Sequence, residues 1–198
     1  MKKFKVFFEW EFQTLVFFLE NASNHFLNKS YNNTQTDIFV SSDGKMSDYE
    51  LSITSLMLTF ESTINKLNNI VDFALLCFVN NISNFHEDTL DILEIQKQLK
   101  ASRSTLLNTL KHDGIYYDKL PGWNHVINVR DDSNAIKHRG GIHVPVESLY
   151  NIPISKNVDL RKEKMTDYIN GIKTWLFNLI DEIERNSMNK DSTKDGEQ

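Results

Sequence analysis

Residues Ser47 to Asn81, SDYELSITSLMLTFESTINKLNNIVDFALLCFVNN, decide the fold class of this chain. Ser47 followed three residues later by Glu50 has the form of a capping box, in which each side chain satisfies a backbone N–H that the first helical turn leaves open. Beyond it Leu51, Leu58, Ile64, Leu67, Val71, Leu75 and Phe78 recur at helical spacing, and no Pro or Gly interrupts them. The run Phe73 to Val79 is apolar on every side, which predicts the most deeply buried part of the domain. A single uninterrupted helix from Ser47 to Asn81 is therefore expected.

The flanking sequence follows the same rule. The whole chain holds only three prolines and seven glycines, so long stretches run without a strong breaker. Helical spacing predicts a first helix over Phe4 to Asn28, with Phe8, Phe12, Leu15, Leu19 and Phe26 on one stripe. Asn28 to Lys45 is then a polar loop in which Asp37 to Val40 has local strand character. Asp88 to His112 reads as another helix, ended by Asp113-Gly114 and followed by a loop through Pro121-Gly122. A shorter helix starts near Trp123 and stops at Gly140-Gly141. His143 to Ile154, with Pro145 and Pro153, is expected to be irregular. A last helix from about Asn157 buries Met165, Tyr168, Ile169, Ile172, Leu176, Leu179 and Ile183. The fold class is all-α, an up-and-down bundle of about five helices. Residues 1–185 form one domain, and the polar residues 186–198 are expected to be a disordered tail.

A length of 198 residues with 40% hydrophobic residues suits one well-buried core. The formal net charge of -5 argues against a protein that grips nucleic acid over its whole surface. Locally the balance reverses, since six Lys or Arg face three Asp or Glu between Asn134 and Lys164. Cys77 is the only cysteine, which excludes an intrachain disulfide and suits a reducing cytoplasm. No histidine pair has metal-ligand spacing, and neither a metal nor a cofactor is expected. Glu9, Glu11 and Gln13 interrupt the apolar start of the chain, so an amphipathic helix is expected there rather than a signal peptide, and no membrane span is expected elsewhere.

Val129 to Gly141, V-R-D-D-S-N-A-I-K-H-R-G-G, carries the candidate chemistry. On a helix, Arg130, Asn134 and His138 follow at i, i+4 and i+8 and lie along one face with a drift of about 80°. A permanent cation, an amide and a titratable imidazole on one surface can hold a phosphodiester and move a proton beside it. Lys137, His138 and Arg139 also have a plain structural explanation, because cations before a capping glycine complement the helix dipole. The placement of Arg130 and Asn134 upstream has no such explanation.

These residues resemble the signature of the HEPN superfamily (higher eukaryotes and prokaryotes nucleotide-binding). It consists of an Arg, four to six residues, and a His, often with a polar residue such as Asn after the Arg. In this chain seven residues separate Arg130 from His138, and Ser133 stands where an Arg would give the commonest form. The resemblance implies a helical homodimer and a metal-independent endoribonuclease of abortive-infection (phage defence) or toxin-antitoxin type, acting on single-stranded RNA through a composite site of the two copies. It also implies Arg130, Asn134 and His138 as the catalytic group. RNA would be the substrate, and an antitoxin-like protein is a possible partner class. Lys137, Arg139, His143, Tyr116 and Tyr117 are the candidate substrate-binding residues. The two tyrosines would stack on unpaired bases, although aromatics near a helix start are more often core. The long Arg-to-His spacing favours a second expectation, a catalytically inactive helical dimer that binds RNA, a nucleotide or a protein partner.

Overall fold

The computed structural model describes residues 2–28, 48–81, 102–139 and 154–194. Five α-helices account for nearly all of them: α1 (Lys2–Asn28), α2 (Asp48–Asn81), α3 (Arg103–His112), α4 (Trp123–Arg139) and α5 (Ile154–Lys194). A single 3-10 turn, Tyr117–Lys119, lies between α3 and α4. The described residues contain no strand, so the chain is all-α. The predicted helix over Asp88 to His112 is not continuous, since Ser102 is extended (φ -67°, ψ 154°) and caps α3, which begins only at Arg103. The expected loop at 29–45, the Ser47 cap, residues 88–101 and the irregular segment at 143–153 lie outside the described residues. Among the described residues no helix is long and apolar enough to cross a membrane.

Side-chain pairings give the helix directions. Lys5 pairs with Asp181 and Glu9 with Lys173, so α1 and α5 run antiparallel. Phe4 meets the ring of Phe78 while Glu11 pairs with Lys66, which makes α1 antiparallel to α2 as well. His125 reaches Asp167 and Asp132 reaches Lys164, so α4 is antiparallel to α5. α1 and α4 thus flank a central α2–α5 pair in an up-and-down arrangement, with α3 against α2. The core is built mostly from the predicted stripes, with Trp175 added to that of α5, while Leu58 of the α2 stripe is instead 57% exposed. Phe8, Phe12, Ile64, Leu67, Leu75, Phe78, Ile172, Trp175, Leu176 and Leu179 are all at most 2% exposed.

The α3-to-α4 connection shows how local chemistry aims the chain. Ser102 accepts from the Thr105 N–H and starts α3. At the other end the Gly114 N–H bonds to the Lys111 carbonyl and the Ile115 N–H to the Leu110 carbonyl, while Gly114 takes φ +83°. This is a Schellman cap, and its usual apolar contact is supplied by buried Ile115 and Leu110. The chain then passes over Trp175, whose indole Nε1 donates to the Tyr117 carbonyl at 3.0 Å.

α4 starts where two backbones nearly touch. A Cβ on Gly122 would lie 2.2 Å from the Gly171 carbonyl oxygen, and Gly122 also has φ +89°. A Cβ on Gly171 would lie 2.2 Å from Cγ of His125. Neither position has room for a side chain, so the paired glycines let α4 dock on α5. At its far end α5 continues to Lys194, past the predicted boundary at 185. No Pro or Gly interrupts the chain from Ile172 to Asp195, and Asn186 donates to the Asp113 carbonyl at 2.6 Å, which ties the extended helix to the end of α3.

Gly171→Ala tests the docking. The substitution favours a helix by up to ~1 kcal/mol, but the clash with the root of the His125 ring is expected to cost more, leaving a net loss of about 1–3 kcal/mol. Urea denaturation measures it, and an unchanged or raised midpoint would contradict the close approach.

Candidate functional site

The stretch 129–139 lies entirely on α4, and the helical period sends its residues to three different neighbours. Val126, Val129 and Ser133 face the core and are at most 2% exposed. The Ser133 hydroxyl donates to Asn65 Oδ1 on α2 at 2.8 Å, which satisfies a buried polar group. Asp132 faces α5, where its Oδ2 accepts from the Tyr168 hydroxyl at 2.8 Å and from Lys164 Nζ at 2.9 Å. Burial, reinforced by the hydrogen bond to the Asp132 carboxylate, raises the Tyr168 pKa above the ordinary phenol range.

Arg130, Asn134 and Lys137 face the third direction. They line a groove of about 380 Å³, whose other wall is Asn68, Asp72 and Leu76 of α2 with Arg103 and Leu106 of α3. Two guanidiniums and an ammonium thus share this groove with one carboxylate. Arg130, Asn134 and Lys137 are exposed, and among the described residues no hydrogen bond or ion pair engages them. Arg103 is held differently. Its Nε donates to Asp72 Oδ1 at 2.6 Å, and its Nη2 reaches the Asn68 carbonyl at 3.0 Å and Asn68 Oδ1 at 2.7 Å. Such a groove concentrates positive potential on an otherwise acidic protein and suits a phosphate-bearing ligand.

The remaining predicted residues fall in different places. His138 is exposed in the last turn of α4, one residue past Lys137, and does not line the groove. Arg139 ends α4. His143 lies outside the described residues. Tyr117 is buried, packing on Trp123 at 4.9 Å between ring centroids, so it serves the core rather than an open stacking surface. Tyr116 is exposed, with Lys119 Nζ 4.7 Å from the centre of its ring, and does not line the groove either.

Three polar groove residues went unflagged in the sequence: Asn68, Asp72 and Arg103. A local signal does exist for Arg103. A cation in the first turn of a helix opposes the dipole, and α3 has no acid there to offset it, which points to a partner elsewhere in the fold. Asn68 and Asp72, four residues apart just ahead of the apolar run 73–79 of α2, are the matching polar pair. His125 was also missed. Its Nε2 lies 3.0 Å from Asp167 Oδ2, while its Nδ1 is buried with no hydrogen-bond partner. It belongs to the α4–α5 contact rather than to the groove. Among the described residues no cluster of three or more His, Cys, Asp or Glu is placed to hold a metal ion.

No protein-family model, curated protein or solved structure matches the chain. The functional reading therefore rests on the residues of the groove and their arrangement.

Two outcomes are expected. Because Tyr168 holds its proton more tightly folded than unfolded, its contribution is complete below the ordinary phenol pKa of about 10 and is lost as pH rises through the folded value. Stability should thus fall more steeply above about pH 10 in the parent chain than in Tyr168→Phe, and equal slopes in pH-dependent denaturation would contradict this. Ser133→Arg should cost more than about 3 kcal/mol, because the side chain enters a fully buried site. Parent-like stability of that variant would show that α4 can rotate about its axis.

Proposed function

We propose that this chain is a HEPN-like, metal-independent endoribonuclease acting on single-stranded RNA in the cytoplasm, as a homodimer in bacterial defence or toxin-antitoxin growth arrest. The observation that supports this reading most is the convergence of Arg130, Asn134 and Lys137 on one cationic groove of an acidic protein. In the proposed reaction the ribose 2'-hydroxyl attacks the adjacent phosphorus, the P–O5' bond breaks, and a 2',3'-cyclic phosphate forms. His138 takes the 2'-hydroxyl proton while water protonates the leaving 5'-oxygen, or His138 supplies that proton while water accepts the first. Arg130 donates paired hydrogen bonds to the phosphoryl oxygens as negative charge builds on them. Asn134 orients the ribose or the imidazole, and Lys137 adds a point charge for the backbone.

Other features fit this reading. The Cys77 thiol is buried and its pKa is pushed up to about 12, as for an inert reduced cysteine. A surface suited to a second copy is available between α1 and α2, where Trp10, Phe18 and Leu58 are each more than half exposed beside an apolar groove.

A second reading, a catalytically inactive helical dimer that binds RNA, a nucleotide or a protein partner, is favoured by one observation. His138 stands outside the groove that Arg130 and Asn134 line. Incubation of the purified chain with single-stranded RNA in EDTA separates the two readings. The nuclease reading expects fragments with 2',3'-cyclic phosphate ends, a loss of at least about 100-fold in rate for His138→Ala, and unchanged helicity. RNA bound without cleavage would select the second reading. Cutting that survives His138→Ala would remove His138 from the mechanism.

A further inference from the structure

Arg103 is the most constrained cation of the groove. Its side chain is only 9% exposed, and both the Asp72 carboxylate and the Asn68 amide hold it. Three of its five N–H donors are engaged by these contacts, while the two on Nη1 have no partner among the described residues. A buried guanidinium with donors remaining favours an anion, because the cost of its desolvation is already met by the fold and its orientation is already set. Arg103 also starts α3, so the open N–H groups of the first helical turn add partial positive charge beside it. The exposed Arg130 faces it from α4 across the same groove.

We infer that Arg103 is a phosphate-binding residue. It is fixed in place by Asp72 and Asn68, and it forms with Arg130 a two-guanidinium clamp on the phosphodiester backbone of single-stranded RNA. The inference rests on the RNA-binding part of the function proposed above and does not require cleavage. Asp72 and Asn68 are positioning residues in this clamp. They hold Arg103 through Nε and Nη2, and Nη1 is left for the ligand. A groove of about 380 Å³ lies near the lower end of the ~300–1,000 Å³ spanned by ligand clefts, so it suits one nucleotide unit rather than a duplex.

A 2'-O-methylated single-stranded oligonucleotide, which cannot be cut by 2'-hydroxyl attack, isolates binding from chemistry. Its affinity should be measured by fluorescence anisotropy as a function of salt. Arg103→Gln should weaken binding about tenfold or more and reduce the slope of log affinity against log salt by about 0.7, the value for one phosphate contact on a single strand. Arg103→Lys keeps the charge but loses the planar fork, so it should restore the slope while leaving the affinity reduced. Arg185→Gln, far along α5 and paired with Glu182, serves as the unchanged control.

The chain has only five arginines, so the Nε–H resonances of the parent protein provide a second readout if Arg103→Gln fails to fold. The oligonucleotide should shift the Arg103 and Arg130 signals and leave that of Arg185 in place. Parallel titrations with inorganic phosphate should shift the same two signals only at much higher concentration. Equal responses to phosphate and oligonucleotide would overturn the assignment to an RNA backbone. If Arg130→Gln weakens binding while the Arg103 variants keep parent affinity and slope, the inference falls and the proposed function stands. If binding depends on Arg103 but no RNA is cut, the inference stands and the nuclease reading falls. No binding by the parent chain would remove both.

Discussion

The contact at Gly122 and Gly171 sets the position of α4. At this crossing the carbonyl of one residue occupies the space that a Cβ on the other would need, so the start of α4 is pinned to α5 at backbone distance. The His125 ring fills the rest of the niche over Gly171, and Trp175 anchors the incoming loop from below. Once that end is fixed, the helical repeat determines which way every later residue points. Ser133 must meet Asn65, Asp132 must meet Tyr168, and Arg130 is left facing the space between α2 and α3. The groove is therefore a consequence of close packing some distance from it.

Electrostatics divides the residues of α4 in a way their sequence order conceals. Asp131 and Asp132 look like a neutralising pair beside Arg130, yet Asp132 is turned to α5 and is engaged by Lys164 and Tyr168. The carboxylate that does line the groove, Asp72, comes from another helix and is engaged with Arg103. Arg130 and Lys137 thus keep their charge unanswered among the described residues, at a site open to an incoming anion. An acidic chain can in this way carry a local basic site whose range is limited to about one Debye length, roughly 8–10 Å in physiological salt.

Much of the fold was legible in the sequence, because apolar period and breakers act locally. The uninterrupted helices α1 and α2, the Asp113-Gly114 stop and the start of α4 at Trp123 all follow from residues close by in the sequence. The continuation of α5 past 185 was missed because its tether, Asn186 to the Asp113 carbonyl, joins residues far apart in sequence. The site was half legible for the same reason. Arg130 and Asn134 share a helix, so their common face could be read from spacing, but the drift of the helical repeat puts Lys137 rather than His138 beside them in the groove. Asn68, Asp72 and Arg103 come from two other helices and become neighbours only in the folded bundle. Tyr117 shows the converse, since adjacency to Tyr116 hides the fact that one ring is buried and the other open.

The Ser133–Asn65 hydrogen bond also constrains the stretch between Arg130 and His138. Each residue added to or removed from a helix turns everything beyond it by about 100°. Deleting one residue between Arg130 and Ser133 would swing a neighbour into the place of Ser133, whereas a cut after Asn134 would leave Ser133 and Asn134 where they are and turn Lys137 and His138 about the axis. Spacing and orientation are thus coupled on a helix, and the packing of Ser133 fixes the direction of Arg130 and Asn134 while leaving the turn that carries His138 exposed.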